Sequence, residues 1–120
     1  MIAELEEALG PGRVLTSPQA LLCYALDATY HVGRPEAVVL PESTAEVAAV
    51  MRIASRHKVP VTPRGAGTGL SGGALPKGGI VLSLTRMNRI KEIDRKNLIA
   101  VVEPGVITAH LQQAAEAAGL

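Results

Sequence analysis

A glycine-rich run carries the clearest chemical signal in this sequence. The run follows a short apolar segment and reads Pro63-Arg64-Gly65-Ala66-Gly67-Thr68-Gly69-Leu70-Ser71-Gly72-Gly73. Glycine lets backbone N–H groups turn toward a ligand through positive φ angles, and it has no Cβ to keep the ligand away. Thr68 and Ser71 add hydroxyl donors, and Arg64 adds a guanidinium fork that suits phosphate oxygens. These residue types predict a loop that binds a phosphate group.

Two familiar phosphate-binding patterns do not fit this run. Residues 67–72 satisfy GxGxxG, but the dinucleotide fingerprint also needs a helix to begin inside the loop. The following residues, 73–79, contain three glycines and a proline and predict no helix. The triphosphatase loop needs Lys followed by Ser or Thr where Gly73-Ala74 stands. What remains is a loop between two strands that binds through its backbone N–H groups, or a plain turn.

The elements before the loop predict a β-α-β unit. Residues 37–40 are a continuous apolar run between prolines, which is typical of a buried strand. Ser43-Thr44-Ala45-Glu46 is a capping box, and apolar residues recur at helical spacing up to residues 56–58. Residues 59–62 predict a second strand, parallel to the first and joined to it by a right-handed crossover. The glycine loop then leaves the carboxyl end of that strand, where α/β sheets bind ligands.

Shorter elements surround this unit. Residues 2–9 predict a helix, and Ser17-Pro18 starts a second one. Residues 79–84 predict a strand, and residues 90–102 predict a hairpin around Asp94-Arg95-Lys96-Asn97. A last helix is expected from Ile107 until Gly119, with Leu120 packing back on it.

Composition excludes several classes of function. The 120 residues carry a net charge of +1 with no basic stripe, and Tyr24 and Tyr30 are the only aromatic residues, so nucleic acid is not an expected partner. The apolar run 20–26 is too short to cross a membrane, and residues 1–7 are acidic where a signal peptide is basic. With one cysteine, a cytoplasmic protein without disulfides is expected, and a peripheral place at the inner membrane face is the alternative.

Other polar residues predict structural roles. His31, His57 and His110 have no metal-ligand spacing to one another or to Cys23, so no metal site is expected. Cys23 is expected to be a small buried apolar residue. Asp27 is expected to make a turn hydrogen bond. Arg64 has two open roles at this stage, which are contact with phosphate and a structural role such as pairing with Glu103.

Several segments together resemble one enzyme family. The glycine run, extended to Pro76, is similar to the pyrophosphate loop of FAD-linked oxidases of the vanillyl-alcohol oxidase type. It is most similar to that of the FAD subunit of glycolate oxidase and the related D-lactate dehydrogenases. Four further segments occur in the family's order and approximate spacing: Tyr24-Ala25-Leu26-Asp27, Pro35-Glu36-Ala37-Val38-Val39-Leu40-Pro41, Ser83-Leu84-Thr85-Arg86-Met87-Asn88 and Val102-Glu103-Pro104-Gly105-Val106. The resemblance covers roughly residues 18–120.

The resemblance implies an α/β (α+β) fold with a small sheet, a β-α-β unit and flanking helices. This would be the N-terminal lobe of a PCMH-type FAD-binding domain. Residues 1–34 would form an N-terminal helical segment. Residues 35–120 would form the first lobe of the domain, which we expect to continue beyond Leu120.

The resemblance also implies a set of FAD-binding residues. Backbone N–H groups of the loop would bind the FAD diphosphate, Pro41 would lie beside the cofactor, and Pro104-Gly105 would lie near its adenosine half. The implied set is Pro41, Pro63, Arg64, Gly65, Ala66, Gly67, Thr68, Gly69, Ser71, Gly72, Pro104 and Gly105. Some members of the family attach the flavin covalently to a histidine in this loop. Thr68 stands at the corresponding position, so non-covalent FAD is expected.

The activity implied is oxidation of a 2-hydroxy acid, such as glycolate or D-lactate, by hydride transfer to FAD. The family's catalytic and substrate-binding groups lie in a later domain, so no catalytic residue is assigned here and these 120 residues alone are expected to be inactive. Other oxidase subunits or an electron acceptor are expected partners, and the isolated lobe is expected to self-associate. The alternative is a non-catalytic α/β module that binds a nucleotide, an anion or another subunit.

Overall fold

Four helices and six strands form the chain, and the computed structural model describes all of residues 1–120. The helices are α1 (Ile2–Leu9), α2 (Pro18–Tyr24), α3 (Thr44–His57) and α4 (Thr108–Ala117). The strands are β1 (Val14–Leu15), β2 (Ala37–Val39), β3 (Val61–Arg64), β4 (Ile80–Ser83), β5 (Ile90–Asp94) and β6 (Ile99–Val102). The mixed α/β class predicted from the sequence is confirmed.

The main sheet has the strand order β1-β2-β4-β3. Strands β2 and β3 both run parallel to β4, and β1 pairs antiparallel with β2. The predicted β-α-β unit therefore has its parallel strands, but β4 lies between them. All four residues of β4 are buried, which suits the central position of a sheet covered on both faces. Strand β1 was not predicted, because its two residues are too few to show the alternation of apolar and polar side chains that marks a strand.

Strand β3 begins two residues later than predicted and continues through Pro63 to Arg64. Proline has no N–H to donate to a neighbouring strand, and β3 is an edge strand that pairs only with β4. The edge position therefore allows Pro63 inside the strand. The glycine loop begins directly after Arg64, at the carboxyl end of β3, as the sequence predicts.

The core lies between the main sheet and helices α1 and α3. Eight buried apolar side chains form it: Leu5, Leu9, Val39, Val50, Ile53, Ala54, Ile80 and Leu82. Helix α3 begins as its capping box predicts, because the Ser43 hydroxyl accepts a hydrogen bond from Glu46 N–H at 3.2 Å. The Glu46 carboxylate turns back to accept from Glu42 N–H at 2.7 Å, one residue before the expected partner. The two bonds fix the direction in which the chain enters α3.

The C-terminal unit consists of the β5–β6 hairpin and α4. Asp94 stabilises the hairpin turn by accepting from the N–H groups of Lys96 and Asn97, at 2.9 and 3.0 Å. Helix α4 ends in a Schellman motif, in which Leu120 N–H donates to Ala115 C=O at 2.9 Å. Leu120 thus packs back as predicted, and it lines an apolar groove of about 270 Å³ with Ile93, Leu98, Ile99, Ala100, Leu111 and Ala115. No residue of β5, β6 or α4 is buried.

No helix is long and apolar enough to cross a lipid bilayer. The longest, α3, has 14 residues and carries charged residues at both ends.

Candidate functional site

A groove of about 420 Å³ lies between the glycine loop and the N-terminal end of α4. Its volume falls within the range of small-molecule sites. Ten residues line it: Gly65, Ala66, Thr68, Thr85, Asn88, Pro104, Gly105, Val106, Ile107 and Thr108. Five of these were predicted from the sequence as binding residues, and three separate chain segments bring them together.

The glycine loop forms the first wall of the groove. Its base is fixed because Arg64 C=O accepts a hydrogen bond from Leu84 N–H at 2.9 Å, which continues the pairing of β3 with β4. Gly67 and Gly72 have φ angles of 75° and 72°, in the left-handed region that favours glycine. A Cβ added at Gly65 or Gly69 would meet no atom within 4 Å. On one side of the loop, the backbone is therefore exposed to an open space.

Pro104 and Gly105 form the floor of the groove. Gly105 N–H donates to Met87 C=O at 2.8 Å, and a Cβ on Gly105 would collide with the carbonyl oxygens of Leu84 and Met87. Glycine is required here for close packing against the end of β4. The Pro104-Gly105 segment is thus held directly beside the loop.

Glu103 fixes the same floor through Arg89. Its carboxylate is 4% exposed and accepts from Arg89 N–H at 2.9 Å and from the Arg89 guanidinium at 2.8 to 3.1 Å. These bonds, the side-chain ones first, lower the pKa of Glu103 from 4.5 to about 2. The alternative that paired Glu103 with Arg64 is wrong, because Arg89 lies opposite Glu103 across the β5–β6 hairpin.

The N-terminal end of α4 forms the second wall. No side chain caps the helix, so the N–H groups of Thr108 and Ala109, the first two of α4, remain available. Such a helix end carries partial positive charge and favours an anion. Thr68, Thr85, Asn88 and Thr108 add hydroxyl and amide donors around the groove. The arrangement suits a phosphate-containing ligand held by backbone and neutral donors.

The other predicted binding residues lie outside this groove. Pro41 is buried at the end of β2, and Pro63 is exposed on β3. Arg64 is 8% exposed and lies beneath the loop, where a Cβ on Gly67 would collide with its guanidinium. Gly69 is exposed on the loop. Ser71 and Gly72 line a neighbouring pocket that they share with Ala28, Thr29, Tyr30, His31 and Leu70.

Five groove residues were not predicted as binding residues: the polar Thr85, Asn88 and Thr108, and the apolar Val106 and Ile107. Thr85 and Asn88 lie in the 83–88 segment that contributed to the family resemblance. Their position directly after β4, a strand of the main sheet, could have marked them as candidates. Thr108 had no signal beyond its place at the start of a helix.

The remaining polar residues of the chain have structural partners or lie on the surface. The Asp27 carboxylate makes the predicted turn bond, accepting from Thr29 N–H at 2.7 Å. No group of three or more His, Cys, Asp or Glu side chains could hold a metal ion. The prediction that Cys23 is buried is wrong. It lies exposed on α2, a helix with no buried residue, and its thiol donates to Gln19 C=O at 3.4 Å.

Comparison with known proteins gives one family. Residues 35–120 match the family described as FAD binding domain. The chain is 44% identical over 119 residues to glycolate oxidase subunit GlcD of Bacillus subtilis, covering 98% of this chain and 25% of that protein. It is 43% identical over 122 residues to D-2-hydroxyglutarate dehydrogenase of Stutzerimonas stutzeri, covering 100% of this chain and 26% of that protein.

D-lactate dehydrogenase of Anaerostipes hadrus is 42% identical over 123 residues, covering 100% of this chain and 26% of that protein. Among solved structures, p-cresol methylhydroxylase with substrate bound superposes with a TM-score of 0.86 and 28% identity, covering 99% of this chain and 24% of that one. The 4-ethylphenol oxidase from Gulosibacter chungangensis gives a TM-score of 0.84 at 33% identity, over 98% of this chain and 24% of that one. The chain thus spans about a quarter of the length of the curated relatives it matches.

Proposed function

This chain belongs to the FAD-binding-domain family of FAD-linked oxidoreductases, and we propose that its groove holds the diphosphate of FAD. The observation that carries the proposal is the convergence of the glycine loop, the Pro104-Gly105 floor and the uncapped end of α4 on one open space. The fold and the cofactor follow from the family. The residues that contact the cofactor are our proposal.

The residues present fit a diphosphate. The open side of Gly65 and Gly69 leaves room for phosphate oxygens to approach the backbone. Hydrogen bonds from N–H groups to a charged oxygen contribute about 1.5 to 3 kcal/mol each, so several of them anchor a diphosphate without a metal ion. The groove contains no lysine or arginine, so the N–H groups and the α4 dipole supply the positive potential. Thr68 cannot form the histidine bond to flavin, so we propose that FAD is bound non-covalently.

The domain organisation is also a proposal. Residues 35–120 would be the first lobe of the FAD-binding domain, and residues 1–34 the helical segment that precedes it. The support is the match of residues 35–120 together with the fourfold greater length of the relatives.

We propose that the whole protein oxidises a 2-hydroxy acid. The three relatives named above are described as acting on glycolate, D-2-hydroxyglutarate and D-lactate, and all three compounds carry a hydroxyl group next to a carboxylate. Bound FAD would supply the hydride acceptor. The residues of this chain would bind and orient the cofactor, and none of them is assigned to proton transfer. Other oxidase subunits or an electron acceptor would be the partners, as the subunit name of the first relative suggests.

Self-association of the 120-residue chain is a further proposal about partners. Several large apolar side chains are exposed on the C-terminal unit, among them Leu98 at 74% and Ile107 at 56%. Apolar surface of this kind favours association. A light-scattering mass equal to one chain at high concentration would count against it.

Flavin fluorescence tests the proposed site with a matched pair of variants. FAD fluorescence is titrated against the chain, Gly65→Ala and Gly73→Ala. A Cβ at either glycine meets no atom within 4 Å, but only Gly65 lines the groove. We expect Gly65→Ala to weaken FAD binding at least about tenfold, because the added Cβ would keep a phosphate oxygen away from the backbone at a cost of about one charged hydrogen bond. Gly73→Ala should bind FAD like the unchanged chain.

Equal binding by both variants would remove the groove as the FAD site. Tight binding of ADP with no preference for FAD would favour the alternative, a module that binds free nucleotides. Acid precipitation of the FAD-loaded protein tests the mode of attachment, since non-covalent flavin leaves with the supernatant.

A further inference from the structure

Arg64 supports the glycine loop from beneath. Its guanidinium lies over the ring of Tyr24 on α2, with Cζ 5.6 Å from the ring centroid. It also occupies the space that a Cβ on Gly67 would need. An arginine stacked on an aromatic ring is held in place by cation–π attraction and packing. The turn at Gly67 therefore rests on the Arg64 side chain.

Asp27, three residues after Tyr24, is near enough to Arg64 for the two charges to interact, although no direct ion pair joins them. One carboxylate oxygen, Oδ1, accepts from Thr29 N–H at 2.7 Å and from the Thr29 hydroxyl at 2.6 Å. The other, Oδ2, is buried and has no hydrogen-bond partner, and the same is true of Arg64 Nη1. The Thr29 bonds come first in lowering the pKa of Asp27, and the charges of Arg64 and His31 lower it further.

A buried guanidinium needs a counter-charge, because an isolated buried charge is costly. Glu103 is committed to Arg89, which leaves Asp27 as the carboxylate associated with Arg64. Asp27 is itself held in place, since Gly33 N–H donates to Ala25 C=O at 2.7 Å and closes the loop that contains it.

We propose that Tyr24 and Asp27 are positioning residues for the glycine loop, acting through Arg64. Both lie before residues 35–120, the range that matches the FAD binding domain. The segment from α2 to Gly33 would then help to hold the glycine loop in position. Its importance for FAD rests on the proposed function, whereas its effect on the loop does not.

Amide hydrogen exchange of the chain without flavin tests the proposal. We compare the unchanged chain with Asp27→Asn, Arg64→Gln and the double variant by NMR. The amides followed are those of Leu84, whose N–H donates to Arg64 C=O at 2.9 Å, and Leu75, whose N–H donates to Gly72 C=O at 3.2 Å, because these bonds close the two ends of the loop. Asn keeps the Oδ1 acceptor for Thr29, removes the charge and places an NH2 group at the position of Oδ2. Each single variant should raise the exchange rates of these amides on the order of tenfold. The double variant should raise them no further than the single variant with the larger effect, because both substitutions disrupt the same interaction. Glu4→Gln, on α1 and remote from the loop, is the control and should leave them unchanged.

A second measurement separates positioning from a general loss of structure. Asp27 is titrated by NMR in Arg64→Lys and in Arg64→Gln. The pKa of Asp27 should rise in Arg64→Gln and stay low in Arg64→Lys, which keeps the charge. If Arg64→Gln does not fold, Arg64→Lys and Asp27→Asn still provide the comparison.

Two results would overturn the proposal. One is loop exchange in Asp27→Asn at the rate of the unchanged chain. The other is a double variant whose effect equals the sum of the two single effects, which means that the residues act independently. FAD binding is measured separately on the same variants. Faster loop exchange without any flavin binding by the unchanged chain would contradict the proposed function and leave this inference standing.

Discussion

The main sheet with α1 and α3 differs from the C-terminal unit in how much apolar surface it buries. Every residue of β2 and β4 is buried, and Leu5, Leu9 and Val50 close the core from the helices. In the C-terminal unit no residue of a strand or helix is buried. Stability at any site follows the local density of buried apolar contacts. The first region is therefore the rigid base of the molecule, and the second is held more weakly.

The candidate site lies where the two regions meet. The glycine loop extends from β3 of the rigid base, while Ile107 and Thr108 belong to the C-terminal unit. Gly105, whose N–H donates to Met87 C=O, connects the two, and the Arg89–Glu103 pair closes the base of the hairpin next to it. One wall of the groove therefore extends from the more deeply buried region, and the other belongs to the region that buries less apolar surface.

Truncation of a side chain in the core of the main sheet should have the largest effect on the free energy of unfolding. Ile80 is 0% exposed in β4, whereas Ile99 in β6 is 54% exposed. We expect Ile80→Ala to lower the free energy of unfolding by about 2 to 5 kcal/mol, because it leaves a cavity in the core. Ile99→Ala should cost less than about 1 kcal/mol. Urea unfolding followed by circular dichroism measures both, and equal losses would contradict the division into two regions.

A methyl group added at Gly105, where the two regions meet, should have the next largest effect on the free energy of unfolding. Gly105→Ala brings a Cβ into collision with the carbonyl oxygens of Leu84 and Met87, so the chain must shift. We expect a loss of about 1 to 3 kcal/mol from overpacking. Gly65→Ala, whose Cβ points into open space, should stay within about 0.5 kcal/mol of the unchanged chain. A neutral Gly105→Ala, measured by the same unfolding curves, would show that the junction is not closely packed.

Acid should weaken both regions gradually, because each region contains one carboxylate whose pKa is lowered by its charged partners. His57, Arg56 and the N-terminal amine lower the pKa of Glu4 from 4.5 to about 2, and Arg89 does the same for Glu103. Between about pH 4.5 and 2 the unfolded chain binds more protons than the folded chain. The stability that these carboxylates supply is therefore present above pH 4.5 and lost as the pH falls toward 2.

Glu4→Gln and Glu103→Gln should each make the unfolding midpoint less dependent on pH in this range. Glu103→Gln should also increase hydrogen exchange at the amides of Gly105 and Val106, which donate to Met87 C=O and Glu103 C=O. Urea midpoints at a series of pH values check the first expectation. A pH profile unchanged by either variant would contradict the assignment of these two groups.

Local patterns in the sequence predicted much of the fold. The capping box of α3, the Asp94 turn and the Gly119 stop of α4 are set by neighbouring residues, and each element forms where it was expected. The insertion of β4 between β2 and β3 was not predictable in this way, because strand order depends on which faces are covered in the folded sheet. Side-chain partners were also beyond reach from sequence alone. The Glu103 partner is set by the register of the hairpin, and the exposure of Cys23 by the open outer face of α2.

For the site, the sequence indicated the loop and the Pro104-Gly105 segment, which the structure brings together in one groove. It did not indicate that the Arg64 side chain turns away from the groove. Residue type fixes what an arginine is able to bind, but packing against Tyr24 and Gly67 decides which way it points.

Backbone chemical shifts during addition of FAD show where the cofactor binds, because NMR detects weak binding by a chain of 12.5 kDa. We expect the largest saturable shift changes on the amides of residues 65–69 and 105–109, on the two walls of the groove. Riboflavin, which has no phosphate, should produce much smaller changes there. Changes of equal size with riboflavin, or changes confined to residues away from the groove, would contradict the claim that this groove holds the FAD diphosphate.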